Sequence, residues 1–195
     1  HAAGYNVLLF DLRFHGESEG RYCSFGYYEQ DDIEAAVDFL CNTKNICKIA
    51  ILGESLGGVI GVLAMKNDKR IKAGIFDSIF SDVKTELLYY GHKIYHLPSV
   101  LVNLAIFLAE KRTKSGFGSI DISKTVRNLS PRAVFFIHGR YDYIVRAYNS
   151  EYLYKNACYP KFIWITNNYG HAQSFIKYEK EYKEKVLFFL KKWLH

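Results

Sequence analysis

At 195 residues, 49% of them hydrophobic, the chain is one domain with ample material for a single core. Its formal charge of +6 comes with no nucleic-acid-binding signature, and Lys177, Lys180, Lys183, Lys185, Lys191 and Lys192 are interspersed with Glu179, Glu181 and Glu184, the pattern of a solvated helix face rather than of an anion-binding surface. Cys23, Cys41, Cys47 and Cys158 form no C-x-x-C pair and no metal spacing, and no signal peptide or membrane span is visible, so reduced thiols, a cytoplasmic location and no stable membrane insertion are expected.

Residues 6–10 read as the first strand, with the continuous apolar character that suits burial on both faces. Residues 11–25 form a loop in which Asp11 and Arg13 are placed to pair and His15 to make structural hydrogen bonds. Residues 27–40 read as a helix, with Ile33, Ala36, Val37 and Leu40 at i, i+3, i+4 and i+7. Residues 48–52 are a second strand, and residues 59–65 have a helix's length and burial. Residues 71–76 are the next strand, ending at Asp77, which is expected to bond local backbone.

Residues 81–128 break this alternation. Residues 82–95 read as one helix, and Pro98 suits the first position of another. Residues 97–109 are almost wholly apolar. They read either as a helix buried against the sheet or as the lining of an acyl pocket with Tyr89, Tyr90 and Tyr95 nearby. The run is too short for a bilayer, which needs about 20 residues. Residues 111–118 are a basic, glycine-containing loop with the character of a mobile segment. His92 and His96 have a zinc-binding spacing, but Lys93 stands where a metalloprotease needs Glu and no third ligand is apparent, so no metal site is expected. Strand 133–137, helix 147–157, strand 161–165 and helix 178–194 complete the chain. The last carries an apolar stripe of Tyr182, Val186, Phe189, Leu190 and Trp193.

The chemistry gathers at Gly53-Glu54-Ser55-Leu56-Gly57, a G-x-S-x-G between a strand and a helix. A chance match somewhere in such a chain has odds of roughly one in fifteen, so the weight comes from context. The turn needs small residues where backbone crowds backbone, a role read here for Gly53 and Gly57. It exposes the Ser55 hydroxyl at the positive end of the following helix. No Walker lysine follows Gly57-Gly58, which excludes a phosphate loop. A hydroxyl nucleophile needs a base, and the base needs an orienting group. Strand 133–137 is followed by Asp142 and strand 161–165 by His171, so an acid and a histidine fall on loops after successive strands. Such loops share the sheet edge where open α/β sheets bind ligands.

Together these motifs resemble the α/β-hydrolases, and more narrowly the bacterial esterases and hydrolases grouped with monoglyceride lipases and serine aminopeptidases. Gly53-Glu54-Ser55-Leu56-Gly57-Gly58 matches the nucleophile elbow. Asp11-Leu12-Arg13-Phe14-His15-Gly16-Glu17-Ser18 matches D-x-R-G-H-G-x-S, with Phe14 in place of the usual glycine. His138-Gly139-Arg140-Tyr141-Asp142 matches H-G-x-x-D, and Gly170-His171 the histidine loop. The resemblance implies the α/β-hydrolase fold, a mostly parallel sheet flanked by helices. It also implies a single domain over residues 1–195, with residues 81–128 as a small helical cap insertion. Ser55, Asp142 and His171 carry over as the catalytic triad and the Leu56 backbone N–H as an oxyanion donor, with no metal and no cofactor. Some relatives place the acid at the position of Asp77, but the H-G-x-x-D match favours Asp142.

The implied activity is cleavage of a small-molecule carboxylic ester by a serine hydrolase through an acyl-enzyme. A peptidase or amidase of the serine-aminopeptidase type is the nearer alternative, for which Glu86 and Glu110 are candidate anchors of a free amine. A non-catalytic hydrolase-fold binding domain is the other. The strand matched by residues 6–10 is the fourth of eight in the family, and the third lies between the fourth and the fifth. The resemblance thus implies that strands one to three are absent, with the loop that donates the second oxyanion N–H, and that the sheet has a central gap. A fragment of a longer protein is expected; the oligomeric state is left open.

Overall fold

The computed structural model describes residues 1–194. Its sheet has four strands, β1 (Ile49–Glu54), β2 (Ile71–Asp77), β3 (Ala133–Tyr141) and β4 (Lys161–Tyr169), in that spatial order and all parallel. Parallel neighbours need a crossover, and helices supply each one. The period of two along each strand then sorts side chains into two layers. Phe76, Val134 and Phe136 enter one layer with Val59, Val62 and Met65 of α2 (Ser55–Asn67). Val37 of α1 (Glu29–Asp38), Val126 of α5 (Ile122–Val126) and Leu153 of α6 (Tyr148–Asn156) complete that layer. Ala73, Ile75, Phe135 and Ile137 point the other way, onto Tyr182, Val186 and Phe189 of α8 (Glu179–Trp193). A short α7 (Ser174–Lys177) precedes α8.

Residues 6–10, expected as a strand, form none and lie outside the sheet. Val7 and Leu9 are 59% and 87% exposed. A ladder needs a neighbour within hydrogen-bonding reach. Here residues 6–9 and β1 instead face each other across a groove of about 590 Å³.

Between β2 and β3 the chain forms α3 (Val83–Tyr95), α4 (Ser99–Thr113) and α5. Asp82 caps α3 by accepting from the Thr85 N–H at 2.6 Å, and His96, at φ +52°, ends it. Pro98 stands at the N-cap of α4 rather than at its first helical position. The two helices meet at Gly91, where a Cβ would stand 2.6 Å from Val102 Cγ2.

α4 matches neither reading of its apolar run. Val102, Ile106 and Thr113 are its only buried residues, and its other face is open. Residues 111–118 are also not a free loop. Lys111 to Thr113 complete α4, Phe117 is buried with its ring centroid 5.2 Å from that of Phe25, and the Tyr28 hydroxyl donates to the Lys114 carbonyl at 2.6 Å. These contacts tie the segment to the start of α1. Among the described residues no helix is long and apolar enough to cross a membrane, and no group of three or more His, Cys, Asp or Glu could hold a metal.

Candidate active site

β1 passes directly into α2, and Ser55 at the junction has φ +49°. A serine in the left-handed region is strained, as a one-residue reversal from strand to helix requires. The reversal presses backbone on backbone. A Cβ on Gly53 would stand 2.7 Å from the Gly57 carbonyl oxygen, and one on Gly58 2.4 Å from Ile79 Cγ2. A Cβ on Gly57 would meet nothing within 4 Å, so the second crowded position is Gly58 rather than Gly57. No side chain caps α2, and the first-turn N–H groups, that of Leu56 among them, have no intrahelical acceptor. An N–H at this positive helix end is suited to an anion.

Asp142 sits just beyond β3. Its Oδ1 accepts from the Ile144 and Val145 N–H groups at 2.9 and 3.0 Å. Its Oδ2 lies 2.7 Å from His171 Nδ1 and 3.4 Å from His138 Nε2. The Asp142 side chain is fully buried, and that of His171 is 17% exposed. Burial alone would raise the Asp142 pKa. Hydrogen bonds from His138 and His171, the charge of His171 and the Ile144 N–H outweigh it and hold the carboxyl well below its usual range. The carboxylate therefore fixes the hydrogen on His171 Nδ1 and leaves Nε2 as an acceptor. His138 is buried and braces this loop: its Nε2 donates to the Val145 carbonyl at 2.9 Å and its Nδ1 accepts from Ser150 Oγ at 2.7 Å.

The structure thus joins Asp142 to His171 directly. Ser55 shares their sheet edge, at the carboxyl end of β1, with no hydrogen bond to either. Asp77, the rival acid, ends β2 fully buried. It bonds the Ser78 hydroxyl at 2.9 Å rather than backbone. Its Oδ2 has no partner, and neither has the buried Tyr182 hydroxyl beside it. Burial pushes Asp77 up to about 6.

The loop before α1 also differs from expectation. Arg13 pairs with Asp32 of α1 at 2.6 Å, not with Asp11, whose carboxylate accepts from the Glu17 N–H at 3.0 Å. His15 Nδ1 donates to the Arg13 carbonyl at 2.9 Å, a structural bond of the kind expected. Phe14, in the glycine position of the motif, takes φ +64°.

A pocket of about 330 Å³ opens beside Ser55 and Leu56, walled by Phe80, Val83, Leu87, Tyr90 and Ile144. α3 supplies Val83, Leu87 and Tyr90 of this wall and α4 none of it. One carboxyl, Glu86, interrupts it. Glu86 Oε1 is buried without a partner, and Oε2 has only a 3.5 Å contact from Asn149 Nδ2. Burial raises Glu86 to about 7 against the opposing charge of Arg146. Glu110 is engaged elsewhere, accepting from the Gly118 N–H at 2.9 Å. Sequence reasoning missed Ile144 and Val145 as holders of Asp142, because they act through backbone N–H groups and residue type carries no signal of that.

The model of the α/β hydrolase fold family matches residues 1–96. The Bacillus subtilis (strain 168) protein YqkD is 33% identical over 192 residues, covering 96% of this chain and 62% of YqkD. The Arabidopsis thaliana alpha/beta hydrolase domain-containing protein WAV2 is 28% identical over 162 residues, covering 78% of this chain and 48% of WAV2. The chain therefore spans less than two thirds of the length of these curated relatives. Among solved structures, the Pyrococcus furiosus esterase Pf2001 is similar at a TM-score of 0.79 and 26% identity, over all of this chain and 73% of that one. With a parallel sheet, a strained serine elbow and an acid and a histidine on the loops after its last two strands, the chain has the α/β-hydrolase fold.

Proposed function

We propose that this chain carries the catalytic centre of a serine hydrolase that cleaves carboxylic esters. The observation that carries the reading is the Asp142–His171 hydrogen bond of 2.7 Å at the sheet edge that also presents Ser55 in its strained elbow. In this reading His171 Nε2 takes the Ser55 proton as Oγ attacks the ester carbonyl. Asp142 holds the imidazole tautomer and stabilises the imidazolium. The Leu56 N–H bonds the oxyanion, an interaction that typically contributes about 10² to 10³ in turnover. Collapse expels the alcohol, which takes its proton from His171. Water, deprotonated by the same nitrogen, then frees the acid from Ser55. The apolar pocket under α3 suits a modest acyl group.

One observation favours a second reading, cleavage of an amide or peptide with a free amine. Glu86 offers an unpaired buried oxygen in the pocket that holds Ser55, where an ammonium would find a counter-charge.

The test is reaction with a fluorophosphonate, read by intact mass, for the chain, Ser55→Ala and Asp142→Asn. One adduct on the chain, none on Ser55→Ala and slowed labelling of Asp142→Asn are expected. A folded chain that takes no label would overturn the hydrolase reading in favour of a binding domain. Comparing alkanoyl with aminoacyl esters then separates the two substrate classes, because only the second should depend on Glu86.

A further inference from the structure

α4 buries one face and leaves the other bare. Val100, Leu101, Leu104, Phe107 and Leu108 are 76%, 49%, 50%, 52% and 57% exposed. Their spacing of i, i+1, i+4, i+7 and i+8 makes one stripe along the helix. Ile94, Tyr95 and Leu97, 47%, 65% and 39% exposed, extend it across the turn from α3. A stripe of this length on a surface marks an interaction site rather than the scattered apolar exposure of an ordinary monomer.

The charges around the stripe have one sign. Every exposed charged side chain between Val83 and Gly118 is a cation: Lys84, Lys93, Lys111, Arg112 and Lys114. Of the two acids of the segment, Glu86 lies in its pocket, and Glu110 is half-buried, bonded to the Gly118 N–H beside Phe107 and Lys111. Lys111 Nζ lies 5.6 Å from the centre of the Phe107 ring, with its stem along the apolar surface and its charge at the margin. An apolar stripe whose exposed margin charges are all basic describes a helix that lies in the boundary of an anionic bilayer. A second copy of this chain brings the same cations and supplies no anion to them.

We propose that the outer face of α3 and α4 docks on anionic phospholipid membranes. The stripe enters the headgroup–acyl boundary while Lys93, Lys111, Arg112 and Lys114 bond lipid phosphates. The helices lie on the bilayer and do not cross it, in keeping with their length. α3 also supplies Val83, Leu87 and Tyr90 to the wall of the Ser55 pocket, so one helix serves both faces. Docking is independent of the hydrolase reading and is measured without turnover.

The test is flotation of the chain with vesicles of phosphatidylcholine alone and of phosphatidylcholine mixed with phosphatidylglycerol. Binding to the mixed vesicles only, weakening with salt, is expected. Leu104→Ala/Phe107→Ala and Lys111→Glu/Arg112→Glu should each weaken it at least about tenfold, at about fivefold per basic residue near the surface. All four side chains are exposed, so both variants should keep the wild-type circular dichroism and melting. Wild-type binding by both variants would overturn the proposal. So would no vesicle binding together with a dimer, seen by sedimentation velocity, that Leu104→Ala/Phe107→Ala dissolves; the face would then join two copies.

Discussion

Asp77 and Asp142 are buried carboxyls at the ends of neighbouring strands, and their surroundings drive them apart. Asp142 accepts four hydrogen-bonding contacts, counting the longer one from His138, and is held ionised. Asp77 has one hydroxyl partner and an orphan oxygen, and burial lifts it from its ordinary 3.8 to about 6. A carboxyl raised by folding is most compatible with the folded state when protonated. Its contribution is fully present below the unfolded value and is lost as pH rises through the folded one. Asp77→Asn keeps an acceptor for Ser78 and cannot ionise. Its stability relative to wild type should therefore grow between about pH 4 and pH 6 and stay level above, by roughly 3 kcal/mol, at about 1.4 kcal/mol for each tenfold change in acidity. Urea unfolding across that range measures it, and a flat difference would mean that the site holds the anion without cost. At this scale the pairing of Asp142 with His171 was legible, because both stand on loops after successive strands. The Arg13–Asp32 pair was not, since the partner of a surface cation depends on where α1 lands.

The elbow shows what a motif states and what it leaves out. G-x-S-x-G identifies the turn, yet its spacing does not say which glycines are crowded. Gly53 and Gly58 face backbone or Ile79 at 2.7 and 2.4 Å, whereas Gly57 faces open space inside a helix. Gly53→Ala and Gly58→Ala should each lose about 1 to 3 kcal/mol through overpacking. Gly57→Ala should be neutral or gain up to about 1 kcal/mol from helix propensity. Thermal melting of the three variants decides this, and equal losses at all three would place the strain elsewhere in the turn. β1 and α2 were legible because each carries an apolar run, residues 49–52 and 59–65, on either side of the glycine-bearing turn. The helix after Pro98 was legible too, but not the face that α4 buries, because an almost uniformly apolar run has no periodicity to say which side faces out. Residues 6–10 failed for a related reason: their apolar run has strand character, but a ladder is a property of two segments.

Across the whole molecule, the sheet is unequal at its edges. β2 and β3 are paired on both sides, whereas β1 is paired only with β2. On its other side β1 faces the groove that separates it from residues 6–9, and Leu52 is 52% exposed there. Parallel strands present amides alternately to their two neighbours, so every second amide of β1 points at that groove with no backbone acceptor. One face of β1 is still covered, since Ile49 and Ile51 pack with buried residues of α2, whereas on the other face only Ala50 reaches the second layer. Packing and hydrogen bonding therefore make different demands here. The first protects the α2 face of the strand, and the second leaves one edge of it exchangeable. Amide hydrogen exchange should find the amides of β2 and β3 protected to the level of global unfolding, with β1 divided residue by residue between protected and fast-exchanging sites. Uniform protection along β1 would mean that its outer edge has a partner strand in solution. Uniform fast exchange would mean that β1 frays as a unit, and that the elbow holding Ser55 depends on α2 alone.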